Sequence, residues 1–475
     1  MSSQPIKFGT DGWRGVIADD YTFENLRRCS EGMARYLVET GQNKRGLVIG
    51  YDTRFESDLF ARASAEVVAA HGIKVYLVDK PTPTPVITYA ILDKKTEGAI
   101  NITASHNPPT WQGFKVRADY AGAIAPEGLK RIEARIPDSG DEVKRLAFDD
   151  AVNQGLIELF DPDPAFLKKI ATLVNVEPIK QAGLTVAVDS MWGAGAGWFE
   201  NILAGGKTRV VEIHNVRNPA FPEMDHPEPI PPNVNGLMEL VKREHADVGI
   251  ATDGDADRVG GSTEKGVFIH QLQMYALLAL YLLQVRGYRG PIVKTLNTTS
   301  MLELLGKKFG VPVHETGVGF KYVAPKMLET DAMIGGEESG GYAFRNHIPE
   351  RDGIVAGLFL MDFVVQTGKK PSQLLDHLFE LVGPHYYERI DTDFPEARRA
   401  EILQRLRDAK PSEIAGFKVT GINTMDGYKY LLSDGGWLVI RFSGTEPIMR
   451  FYVETTQDNK RQDVLAAGLK LAGLK

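Results

Sequence analysis

Short apolar runs alternate with amphipathic stretches along most of this chain. Residues 47–51 and 75–78 read as buried strands, 58–71 and 86–92 as helices, and 96–102 as a further strand bounded by turn formers. An acidic, proline-bearing segment at 158–164 interrupts the pattern, which then restarts with a strand at 184–188, a glycine-rich turn at 192–197 and a helix. Strands follow at 210–213 and 246–251, separated by a proline-rich stretch, 219–232, that predicts a long connection without regular structure, a surface arm. A third restart from Gly266 holds a helix at 272–284, a strand at 291–295, a helix at 300–309 and a strand at 311–315, with another helix from Gly353. From about Arg389 the character changes to extended segments such as 437–442 and a final helix from Arg461, as in a small α+β domain. Strands separated by helices are βαβ units and predict an α/β fold with largely parallel sheets. The three restarts suggest a diverged internal repeat.

Composition sets limits on this picture. With 475 residues and about 150 per domain, three or four domains are expected. A net charge of −7 argues against a nucleic-acid partner, which would require a basic face. Cys29 is the only cysteine, so no disulfide is available, and it reads as a small buried apolar residue. The N-terminus lacks the apolar core of a signal peptide, and the longest greasy run, 272–285, is too short to span a bilayer. A cytoplasmic protein with no membrane partner is expected.

Loops at strand C-termini line the ligand crevice of open α/β sheets, and each restart supplies one polar loop. The first is Thr103-Ala104-Ser105-His106-Asn107-Pro108. It presents a serine at a strand end, with His106 and Lys115 as proton handlers; the alternative is an ordinary turn. In the second, Asp253-Gly254-Asp255-Ala256-Asp257-Arg258, carboxylates at alternate positions can converge on one hard cation. The stretch is too short for a calcium-binding loop and suits Mg²⁺, with Arg258 placed for a phosphate; the alternative is a solvated acidic turn. The third, Gly336-Glu337-Glu338-Ser339-Gly340, can hydrogen-bond adjacent sugar hydroxyls or be a plain surface loop. The fourth runs from Arg441 through Ser443, Gly444 and Thr445 to Arg450 and can cradle a phosphate, or simply join two strands. No P-loop pattern is present. A fifth element puts Arg14 between glycines in Phe8-Gly9-Thr10-Asp11-Gly12-Trp13-Arg14-Gly15.

In this order the elements resemble the α-D-phosphohexomutase family, over nearly the whole span from Phe8 to Arg450. The resemblance implies three α/β domains with mixed, largely parallel sheets and a C-terminal α+β domain around a central cleft. In this chain they would occupy 1–155, 156–262, 263–382 and 383–475. It implies that Ser105 is the phosphoserine and, with Asp253, Asp255 and Asp257, belongs to the Mg²⁺ set. Lys115 matches a general acid/base, Arg258 the phosphoserine-loop arginine, Arg14 the arginine of the N-terminal loop, and Glu337 and Ser339 the sugar readers. Arg441, Ser443, Gly444, Thr445 and Arg450 match the distal phosphate site. The implied reaction interconverts hexose 1- and 6-phosphates through a hexose 1,6-bisphosphate that also acts as activator, in a monomer or small homo-oligomer.

The sugar loop, followed by His347-Ile348-Pro349-Glu350-Arg351-Asp352-Gly353, looks like the glucose-type members. The mannose and glucosamine branches, which remain the alternatives, often carry histidine where Gly341 stands. Lys321, in Gly317-Val318-Gly319-Phe320-Lys321, stands where glucose-type members have a cleft lysine. Two readings of other classes are a serine-phosphoenzyme sugar phosphatase, which releases free phosphate, and a non-catalytic phosphosugar sensor.

Overall fold

A computed structural model describes residues 6–9, 11–443 and 448–474. The chain forms two compact units, one of Met1–Met274 with Ser339–Ser372, the other of Tyr275–Glu338 with Gln373–Lys475.

The first unit contains two mixed sheets. Strands β1 (Gly12–Val16), β2 (Leu47–Tyr51), β3 (Val75–Val78), β4 (Gly98–Ile102), β5 (Trp111–Ala118) and β6 (Ile157–Phe160) form one, in the order β1-β5-β4-β2-β3-β6. Pairing from β4 to β6 is parallel, whereas β5 runs antiparallel to both β4 and β1. Strands β7 (Thr185–Asp189), β8 (Arg209–Ile213), β9 (Val248–Thr252), β10 (Val259–Ser262) and β11 (Phe268–Ile269) form the second, in the order β11-β10-β9-β7-β8. Here β9, β7 and β8 are parallel, and β10 turns back antiparallel on β9. These are the mixed, largely parallel sheets of the expected α/β class. Helices Phe23–Glu39 and Ser57–Ala69 bury Leu26, Met33, Phe60 and Val68 against the first sheet. Thr22 caps the first of them by accepting from the Asn25 amide at 3.1 Å, replacing one of the partners that a helix start lacks.

Two expectations need correction. The acidic segment 158–164 reads as a break, but its first residues end β6, the edge strand beside β3. The 219–232 stretch is irregular but is no surface arm: Phe221, Met224, Pro227 and Pro229 are buried.

In the second unit, Ile292–Thr295 lies between Val313–Thr316 and Ile334–Gly336, all parallel. Its C-terminal portion is an antiparallel sheet in the order Tyr386–Asp393, Ile448–Thr455, Trp437–Phe442, Tyr428–Leu432, Phe417–Asn423, Glu413–Ile414. Leu438, Ile440, Phe451 and Val453 form its core with Val464 and Leu465 of helix Arg461–Ala472 and Ile402 and Leu406 of helix Arg399–Asp408. This is the α+β architecture that the change of pattern predicts. Among the described residues no helix is long and apolar enough to cross a membrane.

Candidate active site

The serine loop leaves β4 at Ile102, where Thr103 still bonds the Gly113 carbonyl of β5 at 3.0 Å. Ser105 then adopts a φ of 54°, a left-handed conformation that non-glycine residues enter only when their surroundings hold them there. Two features hold it. Its amide donates to Thr103 Oγ1 at 2.9 Å. The fully buried Arg54 guanidinium donates to four carbonyls of the loop: Ser105 at 2.7 Å, Asn107 at 2.6 Å, Pro108 at 2.7 Å and Trp111 at 3.0 Å. Asp52 balances that arginine, with Oδ2 3.4 Å from Nε. The turn is therefore built around an internal cation.

The second sheet brings the aspartate loop to this serine. β9 and β10 pair antiparallel, so 253–258 is the connection of a hairpin. Ser105 Oγ donates to Asp253 Oδ2 at 2.9 Å. Glycine is required at 254, since a Cβ there would lie 2.6 Å from the Ser105 carbonyl oxygen. Asp255 Oδ2 accepts from Lys115 Nζ at 3.0 Å and from Thr84 Oγ1 at 2.7 Å. Asp257 Oδ2 lies 2.8 Å from Arg351. All three aspartates are buried, and one carboxylate oxygen from each falls within 4.8 Å of the others.

Such crowding is costly without a cation, and the titration behaviour reflects it. Burial raises Asp253, and the neighbouring Asp257 and Asp255 raise it further, well above the ordinary carboxylate range. Burial also raises Asp257, more than Arg351 offsets. Asp255 goes the other way: burial opposes its charge, but Lys115, Thr84 and Arg351 together hold it low. Among the described residues, Asp255 Oδ1 and Asp257 Oδ1 accept no hydrogen bond although both are buried. A set of three carboxylates with orphaned oxygens is the donor chemistry that a hard divalent cation takes, so these residues fit a metal ion.

The other expected residues of this unit gather around the pair of loops. Lys115 is 1% exposed and lies 3.9 Å from Asp11 Oδ2 as well as against Asp255. His106 Nδ1 is 3.3 Å from Ser105 Oγ. Burial, then the positive charges of Arg258, Arg14 and Lys115, hold this imidazole neutral, well below the usual histidine range. Arg14 donates to Asn107 Oδ1 at 2.5 Å. Arg258 is nearly buried and ion-paired with Glu228 at 2.9 Å, while its amide donates to Asp253 Oδ1 at 3.1 Å. Glu228 comes from the proline-rich 219–232 stretch, which therefore lies against the aspartate loop. Ser339, also in this unit, precedes Gly340, whose carbonyl accepts from the Val259 amide of β10 at 2.9 Å.

Several residues of this constellation are not anticipated by the sequence: Arg54, Asp52, Asp11, Thr84, Glu228 and Arg351. Arg351 carries the best signal, since it stands in the polar 347–353 run just before the cap of helix Gly353–Thr367. Asp352 makes that cap by accepting from the Val355 amide at 2.9 Å. Buried Arg117 and Glu350 pair at 2.6 Å next to it.

The second unit holds Glu337, Lys321, Arg441, Ser443 and Arg450; Gly444 and Thr445 lie outside the described residues. Glu337 is nearly buried. Lys321 Nζ sits 5.1 Å from the centre of the exposed Tyr322 ring. Arg441 and Arg450 are directly opposite on adjacent strands. Like charges so placed are destabilising unless compensated. Asp426 compensates Arg441 at 3.0 Å and Asp391 compensates Arg450 at 3.4 Å. Asp426 also accepts from the Val318 amide at 2.9 Å, which ties Arg441 to the loop before Lys321. The Ser443 amide donates to the Ile448 carbonyl at 2.9 Å, closing the described ends of the fourth loop.

Comparison with known proteins covers the same span. Family profiles described as phosphoglucomutase/phosphomannomutase alpha/beta/alpha domain I, domain II, domain III and C-terminal domain match residues 5–142, 164–266, 271–382 and 395–470. A phosphoglucomutase/phosphomannomutase of Thermococcus kodakarensis is 33% identical over 469 residues, 98% of each chain. A protein of Methanothermobacter thermautotrophicus assigned as a phosphoglucosamine mutase is 30% identical over 96% of this chain and 95% of its own. The crystal structure of a Thermus thermophilus protein assigned as a phosphomannomutase superposes with a TM-score of 0.87 at 35% identity, over 99% of this chain and 100% of that one. With four matching domain families in order and full-length relatives, this chain belongs to the phosphoglucomutase/phosphomannomutase family, the α-D-phosphohexomutases, and is a hexose-phosphate mutase.

Proposed function

We propose that the chain interconverts hexose 1-phosphate and hexose 6-phosphate, with glucose as the preferred sugar, through a phosphorylated Ser105. The observation that carries this reading is the buried constellation of Ser105 Oγ on Asp253 at 2.9 Å and Lys115 Nζ on Asp255 at 3.0 Å. Nucleophile, metal carboxylates and proton carrier share one enclosed place. Mg²⁺, held by Asp253, Asp255, Asp257 and the Ser105 phosphoryl group, would offset the charge of the phosphoryl group in transfer.

In the first half-reaction a sugar hydroxyl attacks the phosphorus and the bond to Ser105 Oγ breaks. One proton moves from the sugar hydroxyl to the departing Ser105 Oγ, with Lys115 giving up its own proton before it takes the hydroxyl's, so the half-reaction neither gains nor loses a proton. His106, held neutral 3.3 Å away, can relay that proton but cannot store one near pH 7. The product is a hexose 1,6-bisphosphate. It turns end for end, and its other phosphate returns to Ser105 by the reverse steps. Arg14 and Arg258 serve the phosphate at Ser105. Arg441, Ser443, Gly444, Thr445 and Arg450 hold the phosphate that is not reacting, and Glu337, Ser339 and Lys321 read the sugar. The four-domain division at 155/156, 262/263 and 382/383 belongs to the same reading.

The glucose preference is supported by Gly341. A Cβ at this position would fall 2.3 Å from Arg351 Cδ. Arg351 thus occupies the space that a histidine side chain at 341 would need, and uses it to reach Asp257 at 2.8 Å. The dual name of the Thermococcus relative favours mannose phosphate as a second substrate.

A ³¹P NMR time course with Mg²⁺ and a trace of bisphosphate tests the whole. Glucose, mannose and glucosamine 1-phosphates are compared side by side, with wild type and Ser105→Ala. The expected result is 6-phosphate without free phosphate, fastest for glucose, and no conversion by a folded Ser105→Ala. Free phosphate from all three sugars would replace the mutase reading with a phosphatase. Wild-type turnover by Ser105→Ala would remove the phosphoserine.

A further inference from the structure

The second glutamate of the sugar loop, Glu338, does not share the part assigned to Glu337. It accepts from the Tyr387 hydroxyl at 2.5 Å and lies 3.6 Å from the Arg389 guanidinium. Arg389 in turn forms a two-pronged pair with Asp391, both contacts at 2.8 Å. Asp391 faces Arg450 across the strand register, with 3.4 Å between Oδ2 and Nε. Arg450 is itself opposite Arg441. Residues 387, 389 and 391 alternate along one strand and so share one face of the C-terminal sheet. Their cross-strand partners are Glu454, Tyr452 and Arg450.

We infer that Glu338, Tyr387, Arg389 and Asp391 form a relay that positions Arg450 according to the state of the sugar loop. The inference rests on the reading of Arg450 as a phosphate ligand. Each carboxylate in the row has a cationic or hydroxyl partner on both sides, so none can shift without offering its neighbour a new one. A two-pronged Arg–carboxylate pair fixes orientation as well as distance, and it lies at the middle of the row. Tyr387 is half-buried, and desolvation together with Glu338 beside it keeps its hydroxyl protonated well above its usual range, so it remains a donor at any working pH. The mutase reaction presents the sugar in two orientations. A connection between the loop that reads hydroxyls and the arginine that reads phosphate lets both adjust together. Glu338 and Arg389 are thus positioning residues for sugar-phosphate binding.

The test is a double-mutant cycle read by calorimetric binding of glucose 1-phosphate and glucose 6-phosphate to the full chain. Glu338→Gln keeps the shape of the side chain and removes its charge; Arg450→Lys keeps the charge and removes the fork. The relay predicts that Glu338→Gln weakens binding about tenfold in the wild-type background and less than twofold in Arg450→Lys. Tyr387→Phe, which alters no charge, takes the place of Glu338→Gln if that variant fails to fold. Equal losses in the two backgrounds would overturn the relay alone. Unchanged binding by Arg450→Lys would overturn the phosphate reading, and the relay with it.

Discussion

Replacing Arg54 by methionine removes the cation inside the serine loop while keeping most of the side-chain volume. Four carbonyls of the loop lose their donors and Asp52 loses its cation. Hydrogen bonds to a charged group contribute about 1.5–3 kcal/mol each, and four of them would sum to more than a local opening can cost. Water entering the loosened turn recovers part of the loss. Breaking a buried ion pair from one side, about 3–5 kcal/mol, is the better guide, and about 4 kcal/mol is the working figure. That corresponds to roughly a thousandfold in the opening equilibrium of the loop. Native-state hydrogen exchange reads it at the Asn107 and Trp111 amides, which bond the Ala104 and Pro108 carbonyls within the turn. Their exchange should accelerate by two to three orders of magnitude, about 10²–10³-fold, while amides of β2 and β4 keep their protection. Turnover should fall with it, because Ser105 is no longer held in its left-handed conformation. Arg54→Lys should restore only a fraction, since an ammonium cannot span four carbonyls. Unchanged exchange at both amides in Arg54→Met would refute the idea that this arginine builds the turn.

Two further predictions come from buried charges away from the serine. Arg117→Met removes the 2.6 Å partner of buried Glu350 and leaves it Arg351 at 3.1 Å, so the cost in chemical denaturation should lie at or below the low end of about 3–5 kcal/mol. Adding Glu350→Leu should recover at least half of that, and no recovery would mean the pair does not act as a pair. The hydrogen bond that His214 donates to Asp189 raises it above its usual 6.5, burial opposes this, and the Asp189 charge adds to the rise. A histidine with a raised folded value stabilises fully below about 6.5 and loses that contribution as pH rises through the folded value. Melting temperatures of wild type and His214→Gln should therefore differ more at pH 6 than at pH 9, and an equal gap at both would exclude this origin.

What the sequence disclosed follows from how each feature is encoded. Strands β2 and β3 are unbroken apolar runs and β4 is apolar but for Asn101, all flanked by turn residues, and a hydrophobic pattern finds them. β1 and β5 escape it because their positions carry glycine, glutamine, lysine and arginine: Arg14, Gln112, Lys115 and Arg117 all lie on these two strands. Those charges are tolerated inside because Asp11, Asp255 and Glu350 arrive from elsewhere in the chain to pair with them. The edge strand β6 is hidden by the prolines and acids that adjoin it. The aspartate loop is legible because its three carboxylates are neighbours in sequence. Thr84 and Arg54 are not, since they reach Asp255 and Ser105 across 171 and 51 residues and only the folded sheets bring them there.

The charges concentrated in each unit point to the kind of ligand that completes them. In the first unit nearly every buried carboxylate near the serine has a cationic partner, yet among the described residues Asp255 Oδ1 and Asp257 Oδ1 accept no hydrogen bond. Lys115 and Arg351 are already engaged by the other oxygens of the same residues. A further side-chain cation would have to be buried too, whereas a small divalent ion can bind three carboxylates at once. The second unit shows the reverse imbalance. Two arginines face each other across one strand register, and each pairs with an aspartate that also serves another group: Asp391 with Arg389, Asp426 with the Val318 amide. Two guanidinium forks side by side favour an anion with several acceptor oxygens. Under the proposed function, a metal ion at the aspartates and a phosphate at the arginines are the groups that supply these complementary charges.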